Sequence, residues 1–227
     1  MSCIDADVLR QNCEHCRECD ACCRANARPS LLSRVVLSVV ACLLALTTLV
    51  LAGNAAAALP EDSVYRLDAQ LVDQDGHRFA FADAQGEVRL ASMFYATCPY
   101  VCPMLVEQLK AIEHALDQPA RARLRVLLVS LEAERDTPEV LAQVAAQRRI
   151  DTARWTLAQP RADDLRKLAA VLGVQYRKLP DGEFNHSTVI SLLAPDGRVL
   201  AQTSRLGGEP DPEFIAAVSA ALAADTN

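Results

Sequence analysis

A chain of 227 residues that is 51% hydrophobic and 23% charged is neither disordered nor fibrous, and it is long enough to bury a core. The net charge is −6, and residues 1–34 carry five basic and five acidic side chains, so the acidic excess lies further along; an acidic domain repels phosphate backbones, which argues against nucleic acid as a partner. Of nine cysteines, six (Cys3, Cys13, Cys16, Cys19, Cys22, Cys23) precede an apolar run, Cys42 lies inside it, and only Cys98 and Cys102 follow, which excludes a disulfide scaffold for the rest of the chain.

Residues 1–34 read as a cysteine-rich cytoplasmic tail, expected to be disordered. Cys13, Cys16, Cys19 and Cys22 recur at every third position with His15 among them. Thiolates so dense suit zinc, copper(I) or an iron–sulfur cluster, but the loop between ligand pairs of a zinc ribbon is absent, as is the closing proline of many iron–sulfur runs. No function is assigned to them. Residues 35–52, VVLSVVACLLALTTLVLA, carry no charge and are long enough for a helix to cross a hydrocarbon layer. Arg24, Arg28 and Arg34 precede this run, and Glu61 and Asp62 are the first charges after it. The positive-inside rule therefore keeps the N-terminus in the cytoplasm and exports residues 60–227 to the periplasmic side. The run favours an uncleaved membrane anchor. The small residues at 54–59, NAAAAL, leave a cleaved signal and secretion to the periplasm as the alternative.

The exported domain opens with strand-like residues 64–72 and 78–82 around Asp75-Gly76, a hairpin signal. Residues 88–95, VRLASMFY, predict the first central strand, and a loop with two cysteines follows. Residues 103–116 place Leu105, Leu109, Ile112 and Leu116 at helical spacing. Residues 124–131, LRVLLVSL, are almost continuously apolar, as in a strand buried on both faces. Thr137-Pro138 starts a helix that runs to 150, with proline in its first turn. A short strand at 155–157, a helix at 162–172 ended by Gly173, and a short strand at 174–179 come next. Residues 188–193 and 199–203 predict a hairpin around Pro195-Asp196-Gly197, and a helix at 212–223 closes the chain. A β-α-β unit followed by β-β-α is the order of an α/β thioredoxin-like fold, a central sheet flanked by helices, here with an N-terminal β-hairpin and one preceding transmembrane or signal-anchor helix.

Cys98 and Cys102, in Ala96-Thr97-Cys98-Pro99-Tyr100-Val101-Cys102-Pro103, fall between strand and helix. A helix N-terminus favours thiolate. Three intervening residues allow either a Cys98–Cys102 disulfide or a shared soft metal. Copper(I) suits thiolates and accepts few ligands, leaving room for an imidazole. Of four histidines, His15 lies before the apolar run, His77 in a hairpin turn and His114 on the polar side of a helix. His186 stands just before a predicted central strand, where the entering loop packs against the cysteine loop in such folds. Ordinary thioredoxin-like oxidoreductases carry a proline there, and none occurs between Pro180 and Pro195. The expected metal ligands are Cys98, Cys102 and His186.

The chain here resembles the Sco/SenC family of cytochrome c oxidase assembly proteins, over about residues 61–223. Three islands carry the resemblance: 94–105 (FYATCPYVCPML), 130–140 (SLEAERDTPEV) and 186–199 (HSTVISLLAPDGRV). It implies a membrane-tethered thioredoxin fold holding a copper ion, Cu(I) with Cu(II) as a second state, through Cys98, Cys102 and His186. It further implies copper transfer to a cytochrome c oxidase subunit, or reduction of that subunit's cysteines. Asp136 matches a recurrent family aspartate; its expected place is a helix N-cap near the metal loop, either as a plain cap or to orient a ligand or dock a partner. Two positions depart from the family, Asn185 where an aspartate is common and Met93-Phe94-Tyr95-Ala96-Thr97 before the cysteines, and both touch the rim of the site. A metallochaperone is thus expected first. A thiol-disulfide reductase working through Cys98 and Cys102 comes second. A peroxidase is disfavoured because Thr97 and Arg135 lack the spacing it needs.

Overall fold

A computed structural model describes residues 58–180 and 184–225, together with Ser38. The cysteine-rich tail, the apolar run 35–52 and its candidate cleavage region up to 57 therefore lie outside the described residues, apart from Ser38. Among the described residues no helix is long and apolar enough to cross a membrane. Residues Ala58–Asn227 form a unit of their own.

The unit is built on a seven-stranded mixed sheet. Its strands are β1 (Gln70–Asp73), β2 (Arg78–Ala80), β3 (Arg89–Phe94), β4 (Arg125–Ser130), β5 (Trp155–Pro160), β8 (Ile190–Leu193) and β9 (Val199–Thr203), in the order β2-β1-β5-β4-β3-β8-β9. Two short strands, β6 (Tyr176–Lys178) and β7 (Phe184–His186), pair antiparallel in a separate ribbon. The helices are α1 (Val101–Ala115), α2 (Gln118–Arg123), α3 (Pro138–Gln147), α4 (Ala162–Val171) and α5 (Pro212–Ala224).

The apolar runs dictate the centre of the sheet. All six residues of β3 and five of the six in β4 are buried. The two pair in parallel, with Leu90 opposite Val126 and Met93 opposite Val129. Parallel strands need a crossover, and α1 supplies it through Leu105, Leu109 and Ile112, each buried against the sheet. β5 continues the parallel set beside β4, whereas β8 runs antiparallel against β3. This is the thioredoxin-like arrangement expected from the sequence.

Several expected elements are shifted. Only Gln70–Asp73 of residues 64–72 is strand, and Val64–Arg66 is a 3₁₀ turn capped by the Ser63 hydroxyl. The N-terminal hairpin turns at Gly76 as expected, but it joins the main sheet, because β1 pairs antiparallel with β5. β5 is twice as long as expected for that reason: its outer half gains β1 as a partner. Helix α2 was not expected. Asp117 caps it, accepting from the Ala120 amide at 2.8 Å, and Pro119 sits in its first turn. Residues 184–186, expected as loop, form β7. Their partner β6 lies across the short segment between them.

Candidate metal and thiol site

The carboxyl end of β3 runs into the cysteine loop and then α1. Cys98 lies in the loop, and Cys102 is the second residue of α1, so the helix begins before Pro103, which its first turn tolerates. Both cysteines are buried free thiols. The Cys102 amide donates to Cys98 Sγ at 3.3 Å, so the first sulfur satisfies one of the orphan donors of the helix start.

The two thiols differ. Burial opposes ionisation of Cys98, but hydrogen bonds from the Cys102 and Tyr100 backbone, the Cys102 thiol and Tyr95 outweigh it, and its pKa falls below the usual thiol value. Burial pushes Cys102 far upward, reinforced by the neighbouring Cys98 and the Asp136 carboxyl. The sequence predicted that the helix N-terminus would favour thiolate at both; only Cys98 follows, because at Cys102 burial outweighs the hydrogen bonding that would favour the charge.

Asp136 is also corrected. Thr137, not Asp136, is the N-cap residue of α3. Asp136 is fully buried and turned the other way: its Oδ2 accepts from the Ala96 amide at 3.0 Å and from the Ser130 hydroxyl at 2.5 Å. Its Oδ1 is buried with no hydrogen-bond partner. Burial raises this carboxyl above its usual value, against the hydrogen bonds from Ser130 and Ala96. Asp136 thus clamps the residue two before Cys98.

A second clamp went unread in the sequence. Glu132, 4% exposed, accepts from the Thr97 hydroxyl at 2.8 Å and pairs with Arg135 at 3.1 Å. Its own amide donates to Ser130 Oγ at 2.9 Å. The available signal was polar residues set directly after the apolar run 124–131.

His186 lies on β7, and its imidazole Nδ1 is 3.1 Å from the Ser187 carbonyl. Partial burial depresses its pKa, which favours neutral imidazole, the form that ligates metals. Its ring stands edge-on to Tyr95, centroids 5.8 Å apart, and Tyr95 also packs on Phe184 at 5.5 Å. The histidine hairpin is therefore held to the residue from which the cysteine loop departs. Cys98 and Cys102 meet directly, and His186 reaches their loop through its contact with Tyr95, but the three ligand atoms do not all lie within 4.8 Å of one another. Among the described residues, the group of three whose ligand atoms all lie within 4.8 Å of one another is Asp73, Asp75 and His77. That group is the tip of the β1–β2 hairpin, where Asp73 Oδ1 accepts from the Asp75 and His77 amides and closes the turn. His114 is exposed on α1, with its Nδ1 2.7 Å from the Lys110 carbonyl. Beside the site, a cavity of about 210 Å³ is lined by Leu131, Arg135, Leu165, Tyr176, Lys178 and Phe184.

Fold and site together define a thioredoxin-like domain with a C-x-x-x-C pair at a strand–helix junction and a histidine hairpin packed beside it. The chain belongs to the SCO1/SenC family, whose family model matches residues 59–223. It is 25% identical over 152 residues to the SCO1 protein homolog of Bacillus subtilis, covering 66% of this chain and 78% of that one. The chain spans between 51% and 63% of the length of other relatives it matches. Among solved structures, ScoI of Bradyrhizobium japonicum with copper bound superposes with a TM-score of 0.54 at 21% identity, covering 70% of this chain and 95% of that one. BsSco, a member of the Sco family of cytochrome c oxidase assembly proteins in which a disulfide switch was identified, superposes with a TM-score of 0.58 at 23% identity, covering 68% and 91%.

Proposed function

We propose that this protein is a copper-transfer protein that carries Cu(I) on Cys98, Cys102 and His186 and supports assembly of a copper centre in cytochrome c oxidase. One observation carries the reading: two free thiols open α1 beside an imidazole hairpin that Tyr95 ties to the same loop. Two sulfurs and a neutral imidazole are a soft donor set, suited to Cu(I) and less so to Cu(II). Buried at the head of α1, the thiols favour a softer cargo than zinc, whose structural sites want four ligands. Capture draws His186 inward past Tyr95, since the three ligand atoms are not yet gathered. Residues 35–52 tether the domain to a membrane on the exported side, a reading supported by the arginines before that run. The receiver is an oxidase subunit at the same membrane surface.

The asymmetry of the thiols favours a second reading, thiol-disulfide reduction of the receiver's cysteines. Cys98, the more acidic thiol, attacks, and the buried Cys102 resolves the mixed disulfide.

The test uses the full chain with Cys3, Cys13, Cys16, Cys19, Cys22, Cys23 and Cys42 replaced by serine, so that copper reports on this site alone. Competition with a chromophoric Cu(I) chelator should give one copper per chain. Cys98→Ser and Cys102→Ser should abolish binding, and His186→Ala should weaken it by about tenfold or more, the order of effect of losing a ligand contact. Unaltered affinity in His186→Ala would remove the imidazole from the site and promote the reductase reading.

A further inference from the structure

The chain carries a net charge of −6, yet one of its faces is basic. Arg166 on α4 and Arg177 and Lys178 on β6 are exposed together around a groove of about 600 Å³, with Ala169, Ala170 and Val174 among its walls. No carboxylate lines that groove. Among the described residues, none of these three cations forms an ion pair, whereas Lys167, next to Arg166 on α4, is paired with Asp164 at 3.1 Å. Three unpaired cations around a concave surface attract negative charge.

The groove shares Tyr176 and Lys178 with the cavity of about 210 Å³ beside the site. Leu131, Leu165, Tyr176 and Phe184 give that cavity apolar walls. Lys178 Nζ lies 5.8 Å from the centroid of the Phe184 ring, so a cation stands where the two spaces meet. Two carboxylates also line the cavity: Glu132 is buried and held by Thr97 and Arg135, and Glu134 is exposed. The volume falls below the roughly 300–1,000 Å³ of a small-molecule pocket but has room for one leucine or phenylalanine side chain. A lipid surface would call for cations mixed with exposed apolar side chains. Here the exposed large apolar residues stand elsewhere, Tyr100, Val101 and Met104 at the head of α1 and Val199 and Leu200 on β9. The concave basic face with an apolar side cavity therefore suits a protein segment.

From this arrangement we propose that the α4–β6 face is a docking surface for an acidic segment of a protein partner, with carboxylates on Arg166, Arg177 and Lys178 and one apolar side chain in the cavity beside Phe184. Phe184 stands two residues before His186 and packs on Tyr95, centroids 5.5 Å apart, so a docked segment borders the histidine hairpin. That the partner is the copper receiver rests on the function proposed above; the surface itself does not.

A fluorescein-labelled octapeptide of aspartate and glutamate with one central phenylalanine serves as the probe, titrated against the full chain in phosphatidylcholine nanodiscs and read by fluorescence anisotropy. The parent should bind it, more weakly as salt rises. Arg166→Glu combined with Arg177→Glu should weaken binding by about tenfold or more, because opposite charges become like charges. Ala162→Phe, which fills the cavity from the exposed first turn of α4, should weaken it by about tenfold, as should serine in place of the peptide's phenylalanine, the order of effect of leaving an apolar ring in water. Circular dichroism confirms that each variant is folded, and the serine peptide tests the cavity on the parent chain alone. Equal binding by the parent and the double reversal overturns the proposal, and equal binding of the phenylalanine and serine peptides overturns the place given to the cavity. Two further results assign the face to another occupant and overturn the proposal as well. One is slower hydrogen exchange of the β6 amides on adding phosphatidylglycerol to the discs without peptide, which marks a membrane surface. The other is a dimer of the parent that the double reversal dissociates, which marks a second copy. If the parent binds the peptide at this face but no copper, the copper reading falls and the docking surface stands; copper bound without the peptide gives the reverse.

Discussion

At the scale of single residues, the site is governed by the contest between burial and hydrogen bonding at three ionisable groups. Asp136 holds Ala96 and Ser130 from a position with no solvent contact. Truncation to alanine leaves two donors without an acceptor and should cost about 2 kcal/mol, read from urea unfolding. The pH dependence has a definite sign. Burial raises the Asp136 carboxyl above 3.8, so the folded state keeps a proton that the unfolded chain has given up. Its contribution is complete below pH 3.8 and is lost as pH rises through the raised folded value. Asp136→Asn, neutral at every pH, should lack that loss. The stability difference between the parent and Asp136→Asn should therefore move against the parent as pH rises through this window, and then level off. The thiols give a separate expectation. With Cys98 lowered and Cys102 raised, iodoacetamide near neutral pH should label Cys98 first, as peptide mass spectrometry would show; equal labelling of both would contradict the asymmetry.

At the scale of elements, the two supports of the site are unequal. The cysteines hang from β3, which is hydrogen-bonded on both sides by β4 and β8. His186 hangs from a two-stranded ribbon of three residues per strand, and such ribbons are marginal alone. What fastens it is aromatic contact, Tyr95 with Phe184 and Phe184 with Tyr176. Amides of β6 and β7 should therefore exchange with deuterium about tenfold faster or more than those of Leu127 and Leu128 in β4. Equal protection would show that the histidine is as rigidly held as the thiols. The turn between β8 and β9 is tight for a different reason. Gly197 has φ +84°, and a Cβ there would lie 2.5 Å from Ser63 Oγ and from Tyr65 Cδ2. Gly197→Ala should cost about 1–3 kcal/mol in urea unfolding, from backbone strain and overlap together. The 3.6-residue and continuous apolar patterns made β3, α1 and β4 legible in the chain. β7 was not legible, because Phe184-Asn185-His186 is too short to show a period and earns its strand only from β6 across the ribbon.

For the whole molecule, stability and chemistry are separable. The core runs through β3, β4 and β5, with Leu128 and Leu157 fully buried. Leu128→Ala should cost about 2–5 kcal/mol and lower the urea midpoint, yet leave the stoichiometry of copper unchanged, since the residue supplies core volume from β4 and is not itself an expected ligand. Loss of copper at conditions where the variant is still folded would tie the site to the core more closely than its contacts do. A further anchor lies toward the carboxyl end of α1, where Glu113 accepts from Trp155 Nε1 at 3.0 Å and pairs with Arg154. This pins the far end of α1 to β5, while the near end carries the cysteines.

The sequence by itself determined the fold class, the strand and helix that flank Cys98 and Cys102, and the singling out of His186, because alternation, helical period and residue chemistry are local properties of a chain. Only the tertiary structure decided how Asp136 and Glu132 grip residues 96 and 97, that Cys98 and Cys102 part in acidity, and that Tyr95 stands against the imidazole. Those depend on burial and on distances between segments some 30 to 90 residues apart, which are set by packing of the sheet and are written in no short stretch of sequence.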